Sequence, residues 1–307
     1  MNIRIGTRGS KLALAQSQWV KHRIEARHPD VEVTLIKIKT RGDKILDSPL
    51  SRIGGKGLFV KEIEDGLLRK DVDVAVHSMK DVPAELPQGL HLSVFPKRED
   101  PRDAFVSIHY RKIDHLPEGA SVGTGSLRRS AQLLSKRPDL RVVPLRGNVD
   151  TRLKKLESEE LQAIILAAAG LNRLGLSHKI SRILSPDDML PAIGQGALGL
   201  ETRIDDPLLL ERLRFLNHPQ TELTVRAERA FLKELEGGCQ VPIAGYARNH
   251  GADLTLRGLI AELDGSRVIF DEIQGSSDHP EEMGTALAKR LLSSGADEIL
   301  SRIYGKD

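Results

Sequence analysis

The chain has 307 residues, room for two or three domains, and its 39% hydrophobic and 29% charged content suits a folded globular protein and excludes a disordered one. The longest apolar run, residues 163–169, is far short of the roughly 20 that span a bilayer, and the opening MNIRIGTRGS has neither an apolar core nor a cleavage site, so the expected location is the cytoplasm. One cysteine excludes an internal disulfide and a cysteine-held zinc, and the net charge of +3 hides an asymmetry: residues 1–155 carry 30 Lys+Arg against 19 Asp+Glu, residues 156–307 carry 16 against 24.

Residues 2–6 form a short strand. Ser10 then caps a helix to about residue 28, with Leu12, Ala15, Trp19, Val20 and Ile24 on its apolar side. Residues 31–40 alternate as a strand and 59–70 are helical. Val72, Val74 and Val76 share one face of a strand ending near His77, and a further strand covers about 90–95. The charged, proline-bracketed segment 96–102 is an interdomain linker. A second series follows: strand 121–123, helix 127–136, strand 141–145, helix 149–157 and buried strand 163–166. Residues 191–199, with three glycines, look like a second crossing. Helices at 205–216 and 222–235 lead to strands near 243–248, 254–263 and 267–273. A closing helix starts at about 280, with Leu287, Leu291 and Ile299 inward. The alternation predicts an α/β fold of mostly parallel sheets covered by helices, followed by a small α+β unit.

Ligands in open α/β sheets bind just past the carboxyl ends of strands. Five strand exits here carry polar or basic residues: 6–10 with Arg8 and Ser10, 77–81 with Lys80 and Asp81, 123–129 with Thr124, Ser126, Arg128 and Arg129, 145–148 with Arg146 and then Arg152, and 167–173 with Gly170 and Arg173. One such residue is ordinary. Five, split between two domains, predict a cleft that receives several negative groups. Arginines outnumber lysines 28 to 18, and the planar guanidinium grips carboxylates or phosphates bidentately. Only 3% of residues are aromatic, which argues against stacking platforms for single-stranded nucleic acid.

Each motif has a plainer alternative. Gly123-Thr124-Gly125 before a helix mimics a dinucleotide fingerprint, but Arg128 stands where the third glycine belongs. A helix N-terminus meeting an anion is the better account, and two arginines on a solvated helix face is the plain one. The glycine-rich stretch 54–57 with Lys56, followed by Phe59, is either a mobile lid or a surface loop. Asp81 before Val82-Pro83 is either a carboxylate that receives substrate N–H groups or half of a Lys–Asp surface pair. Cys239, after two glycines, is either a buried small hydrophobe or an accessible thiol that serves as nucleophile or attachment point. No metal-ligand spacing appears among the ten histidines.

Taken in order, Thr40-Arg41-Gly42-Asp43, Gly54-Gly55-Lys56-Gly57-Leu58-Phe59, the stretch Ala75-Val76-His77-Ser78-Met79-Lys80-Asp81-Val82-Pro83, Ser126-Leu127-Arg128-Arg129, Leu145-Arg146-Gly147-Asn148 and Glu236-Gly237-Gly238-Cys239-Gln240-Val241-Pro242 closely resemble the porphobilinogen deaminase (hydroxymethylbilane synthase) family, and the likeness runs the length of the chain. One departure is Gly125, where the family often has serine. The resemblance implies two periplasmic-binding-protein-like lobes, 1–96 with 195–216 and 97–194, and a C-terminal domain, 217–307. It implies a dipyrromethane cofactor joined by thioether to Cys239, with Lys80, Asp81, Thr124, Ser126, Arg128, Arg129, Arg146 and Gly170 around it. It implies porphobilinogen as substrate, met by Arg8, Ser10, Arg146, Arg152, Arg173 and Gln195. Asp81 would be the catalytic residue, with Lys56 and Phe59 on a mobile loop, no metal, and a monomer without nucleic-acid or membrane partners. The competing reading is a non-catalytic two-lobed receptor for small anions; an RNA-binding enzyme rests only on the basic half.

Overall fold

The computed structural model describes residues 1–44, 57–158, 161–237 and 241–305. The first lobe contains β1 (Asn2–Thr7), α1 (Lys11–Arg27), β2 (Glu32–Lys37), α2 (Arg41–Lys44), α3 (Lys61–Leu68), β3 (Val74–Ser78) and β4 (Leu90–Val94). The chain then crosses to β5 (Asp103–Val106), β6 (Ser121–Gly123), α4 (Leu127–Lys136), β7 (Arg141–Val143), α5 (Val149–Ser158), β8 (Ala163–Ala167), α6 (Ala168–Arg173) and β9 (Arg182–Ile183). It returns as β10 (Leu198–Arg203) and α7 (Pro207–Leu213). The remainder is α8 (Pro219–Glu234), β11 (Ile243–His250), β12 (Asp253–Ala261), β13 (Val268–Ser276), α9 (Pro280–Leu291) and α10 (Asp297–Tyr304).

The two five-stranded sheets have orders β2-β1-β3-β10-β4 and β7-β6-β8-β5-β9, and the third sheet is β11-β12-β13. Both large sheets share one plan. The strand that has just crossed from the other half, β10 or β5, is inserted antiparallel between two strands of the resident set. The other pairs are parallel. The fold is therefore α/β, with two doubly wound lobes and a small α+β unit. The third sheet is antiparallel, and its inner face packs on α8 and α9 through Phe231, Leu256, Leu287 and Leu291.

Packing explains where the sequence pattern holds and where it fails. Helices cover both faces of β3, so its residues are buried on both sides. Val74 and Val76 join Ile3, Ile5, Val20 and Ile24 in one layer, while Ala75 joins Ile63 and Leu67 of α3 in the other. Val72 belongs to that second layer, because the strand starts only at Val74; it does not share a face with Val74 and Val76 as expected. Trp19 is 44% exposed, and α1 buries Gln16, Ser17, Val20 and Ile24 instead. The expected single closing helix is two helices, with Gly295 at φ 96° breaking the run between them.

Three strands escaped the pattern. β5, β9 and β10 are short or fully buried, and β10 begins inside the stretch expected to be only a crossing. That crossing is closely packed. Gly194 and Gly196 have φ of 69° and 86°, and a Cβ on Gly196 would collide with the Glu99 carbonyl of the outgoing strand. Arg98, in the first crossing, donates to Glu228 of α8 at 2.6 and 3.1 Å and to the Gln195 carbonyl at 2.9 Å. Glu228 is fully buried and also accepts from the backbone N–H groups of Gly194 and Ala247. One carboxylate thus ties both crossings to α8.

Candidate active site

The turn after β3 carries Lys80 and Asp81. Its backbone is fixed from behind: the Met79 N–H donates to the Ala197 carbonyl at 3.0 Å, and Met79 is buried with Val60, Val82, Phe95 and Val225. The two charged side chains are left for the cleft. Among the described residues, the Asp81 carboxylate receives no hydrogen bond and forms no ion pair. Lys80 is exposed to water, and Asp103, Arg129 and Arg152 of the second lobe lie near enough to act on its charge. Loss of solvation there lowers its pKa to about 8; Asp81 and Asp103 oppose the shift, and Arg129 and Arg152 add to it.

The facing wall is built on α4. Thr124 is buried, and its Oγ1 accepts from the Ser126 N–H at 3.2 Å, while Ser126 caps the helix without using its hydroxyl. A Cβ on Gly125 would lie 2.7 Å from the Leu145 carbonyl, so a serine there would require that backbone to withdraw. Arg128 and Arg129 are not on a solvated face: they are 4% and 5% exposed. Both converge on Asp103, which is fully buried at the start of β5. Arg128 donates to it at 2.7 and 3.3 Å, Arg129 at 2.7 and 3.0 Å, and the Gln195 side-chain amide at 2.9 Å. Burial alone would push the Asp103 carboxyl up, but the two guanidiniums hold it well below the usual carboxylate range. Arg128 Nε is buried without a partner among the described residues.

Arg146 and Arg152 extend this wall. Arg152 donates to the Gly147 carbonyl at 2.8 Å, and its pKa is lowered to about 10 by desolvation, then by Arg129, with Asp81 opposing and Arg146 adding. Lys80, Asp81, Asp103, Arg129, Arg146 and Arg152 therefore form one electrostatic cluster drawn from both lobes. Other expected residues have their own surroundings. Arg173 donates to the Gly196 carbonyl at 2.7 Å beside Glu99, at the crossing. Arg8 pairs with Asp43 at 2.5 Å and lies over the Phe59 ring at 4.2 Å. Ser10 accepts from the Ala13 N–H as the cap of α1. Gly170 is buried opposite Leu12, where α6 meets α1, and Lys11 pairs with Asp150 nearby. Gln195 is 1% exposed, with its amide committed to Asp103 and the Pro101 carbonyl.

Lys56 and Cys239 lie outside the described residues. The approach to Cys239 is described. After α8, Glu236 has φ 50° and its carbonyl accepts from Tyr304 Oη at 3.2 Å, while a Cβ on Gly237 would press on Ile243 and Leu232.

Asp103 and Glu228 were missed by sequence reasoning. Their signal is an acid placed inside an apolar run, Asp103 heading DAFV and Glu228 on the inner face of α8. A third buried acid group lies behind the turn. His77 Nε2 is 2.8 Å from Glu201 Oε2, and both side chains are buried. Glu64 of α3, with Oε1 unpartnered among the described residues, is pushed up to about 7 by burial and then by the Glu201 charge. A carboxyl raised in the folded state stabilises most below its unfolded value near 4.5 and loses that contribution as pH rises through about 7. Glu64→Gln should therefore melt near the wild type at pH 5 and above it at pH 8. Parallel melting curves for the two proteins across that range would contradict the assignment.

A two-lobed α/β protein with one unpaired carboxylate among four cations, Lys80, Arg129, Arg146 and Arg152, is built to hold a polyanion and steady a positive centre within it. The description "Porphobilinogen deaminase, dipyromethane cofactor binding domain" matches residues 3–211, and "Porphobilinogen deaminase, C-terminal domain" matches residues 222–293. The chain is 56% identical over 305 residues to a porphobilinogen deaminase of Pelobacter propionicus, covering 99% of this chain and 98% of that one. It is 55% identical over 305 residues to the enzyme of that name from Geobacter metallireducens, covering 99% and 96%. Among solved structures, the methionine-binding protein MetQ aligns with TM-score 0.44 at 13% identity, over 69% of this chain and 88% of that one. The chain belongs to the porphobilinogen deaminase family, which removes the non-catalytic receptor reading. No helix among the described residues is long and apolar enough to cross a membrane.

The donor set fits the cofactor named for this family. A dipyrromethane carries carboxylate side chains and pyrrole N–H groups. The wall offers the unpartnered Arg128 Nε, the uncommitted Ser126 hydroxyl and the Lys80 ammonium to the first, and Asp81 to the second.

Proposed function

We propose that this chain is a hydroxymethylbilane synthase, a transferase that joins four porphobilinogen molecules head to tail with loss of ammonia and releases the linear product to water. The reading rests on one observation above all: the Asp81 carboxylate, unpaired among the described residues, stands among cations contributed by both lobes. When bound, the dipyrromethane supplies the terminal pyrrole carbon on which the chain grows. Asp81 accepts the N–H of the incoming pyrrole and offsets the positive charge that develops as the C–N bond to ammonia breaks. Asp81 would go on offsetting that charge for as long as it persists on the pyrrole. Lys80 and Arg146 would neutralise acetate and propionate groups of the cofactor, the Ser126 hydroxyl and Arg128 Nε would donate to them, Arg129 would hold the wall through Asp103, and Thr124 and Gly170 would shape the seat. Arg8, Ser10, Arg146, Arg152 and Arg173 form the substrate and product track, and Gln195 backs it through its bonds to Asp103 and the Pro101 carbonyl. Arg8 would have to exchange Asp43 for a substrate carboxylate. Phe59, whose ring lies under the Arg8 guanidinium, borders the start of that track.

The domain limits we assign are 1–96 with 195–216, 97–194 and 217–307, and we take the enzyme to be a cytoplasmic monomer without nucleic-acid partners. Cys239 is the attachment point. The purified wild-type protein should outweigh its amino acids by one dipyrromethane and give a pyrrole colour with an acidic aldehyde reagent. Cys239→Ser should weigh only its amino acids. A wild-type mass equal to the polypeptide alone, persisting after incubation with porphobilinogen, would overturn the reading.

A further inference from the structure

The turn bearing Asp81 is gripped by a residue of the third domain. Arg229, on α8, donates to three consecutive backbone carbonyls: Val82 at 3.4 Å, Pro83 at 2.8 Å and Ala84 at 2.9 Å. These carbonyls follow Asp81 directly. The stretch lies outside any strand, so no ladder bonds fix these carbonyls in place. A planar guanidinium with five donors can meet several carbonyls at once, whereas a lysine ammonium concentrates its charge at one point. Arg229 is largely withdrawn from water, and burial lowers its pKa to about 10 while Glu201 opposes the shift, so it stays charged at neutral pH.

The grip is part of a wider arrangement on one helix. Val225, one turn earlier on α8, packs in the same apolar group as Met79 and Val82, on either side of Lys80 and Asp81. Glu228, the residue before Arg229, ties both interlobe crossings to α8. Farther along, the helix ends at Glu234, five positions before Cys239. The turn that aims Asp81 and the segment leading to the cysteine are thus carried by the same rigid element.

We propose that Arg229 is a positioning residue for Asp81. It fixes the backbone of the catalytic turn to α8, so that the carboxylate keeps a set position relative to that helix. The role acts through Asp81 and rests on the function proposed above.

The test compares purified holoenzymes, each with its cofactor content checked by intact mass. Arg229→Gln removes the charge and the fork, and Arg229→Lys keeps the charge without the fork. Arg226→Gln removes a surface ion pair with Glu281 from the same helix and controls for general weakening of α8. A small misplacement of a catalytic group is enough to slow turnover by about 10- to 100-fold. Arg229→Gln should show a kcat loss of that order with KM changed less than about threefold. Arg229→Lys should fall between it and the wild type, and Arg226→Gln should match the wild type. Should the glutamine variant fail to fold, the lysine variant decides the matter: a reduced kcat with wild-type melting supports the role. A wild-type kcat in either Arg229 holoenzyme, or an equal loss in Arg226→Gln, overturns it. Unchanged turnover in Asp81→Asn would instead remove the proposed function itself, so the two failures are distinct.

Discussion

Replacing Asp81 with asparagine is expected to leave a folded protein with turnover reduced by about 10²- to 10³-fold, the scale of losing one preorganised electrostatic group at a developing charge. Folding should survive because the carboxylate holds nothing in place: no hydrogen bond or ion pair among the described residues depends on it. The turn is held instead by backbone bonds from Met79 to Ala197 and from Val82 to Met79, and by Arg229. The change also has an electrostatic signature. The Asp81 charge supports the protonated form of Lys80, whose pKa is about 8 against an ordinary 10.5. Removing that charge moves the Lys80 titration lower still, so residual activity should fail at a lower pH than in the wild type. Asp81→Glu restores the charge on a longer arm and should recover part of the rate. Steady-state kinetics from pH 6 to 9 on the three holoenzymes decides the point. Near-normal turnover in Asp81→Asn would take the carboxylate out of the mechanism.

The parts legible in the sequence are those fixed by local chemistry. Ser10 is an N-cap because its hydroxyl accepts from the Ala13 N–H, and the helix it starts runs to Arg27, although the face it buries differs from the one its apolar pattern implies. Leu127–Lys136 is helical over the residues expected, since one face is apolar and no breaker interrupts it. Strand exits bearing polar residues also follow from local pattern, and they locate the cleft. What the pattern could not supply is the partner of each cation. Arg128 and Asp103 are 25 positions apart and meet only because β5 crosses into the second sheet beside β8. Arg8 and Asp43 are 35 apart, and their pairing depends on the turn after β2. Local sequence therefore distinguishes a basic strand exit from a neutral one, but not a cation facing the cleft from one already neutralised. Lys80 and Arg128 show the difference: one has no ion pair among the described residues, and the other shares a buried carboxylate.

Asp103→Ala is expected to be the most damaging single change to stability. Two guanidiniums, 4% and 5% exposed, would lose their shared counter-ion while remaining enclosed. Breaking a buried pair by removing one partner costs about 3–5 kcal/mol, because the remaining charge is left without compensation. Against a typical domain stability of about 5–15 kcal/mol, that is enough to empty much of the folded population. Gln195 would lose its acceptor as well, and with it a bond that joins the second crossing to β5. Asp103→Asn keeps the shape and some acceptor capacity and should fall between alanine and wild type. The wild-type pair itself should resist acid. A carboxyl depressed in the folded state contributes fully above its unfolded value near 3.8, and loses that contribution only as pH falls through the much lower folded value. Urea unfolding at pH 7 and at pH 4.5 tests both statements: the alanine variant should lose several kcal/mol at each pH, with a similar gap between variant and wild type. A loss below about 1 kcal/mol would mean that Arg128 and Arg129 find other partners when Asp103 is gone, and that the buried acid does not organise the wall on which they stand.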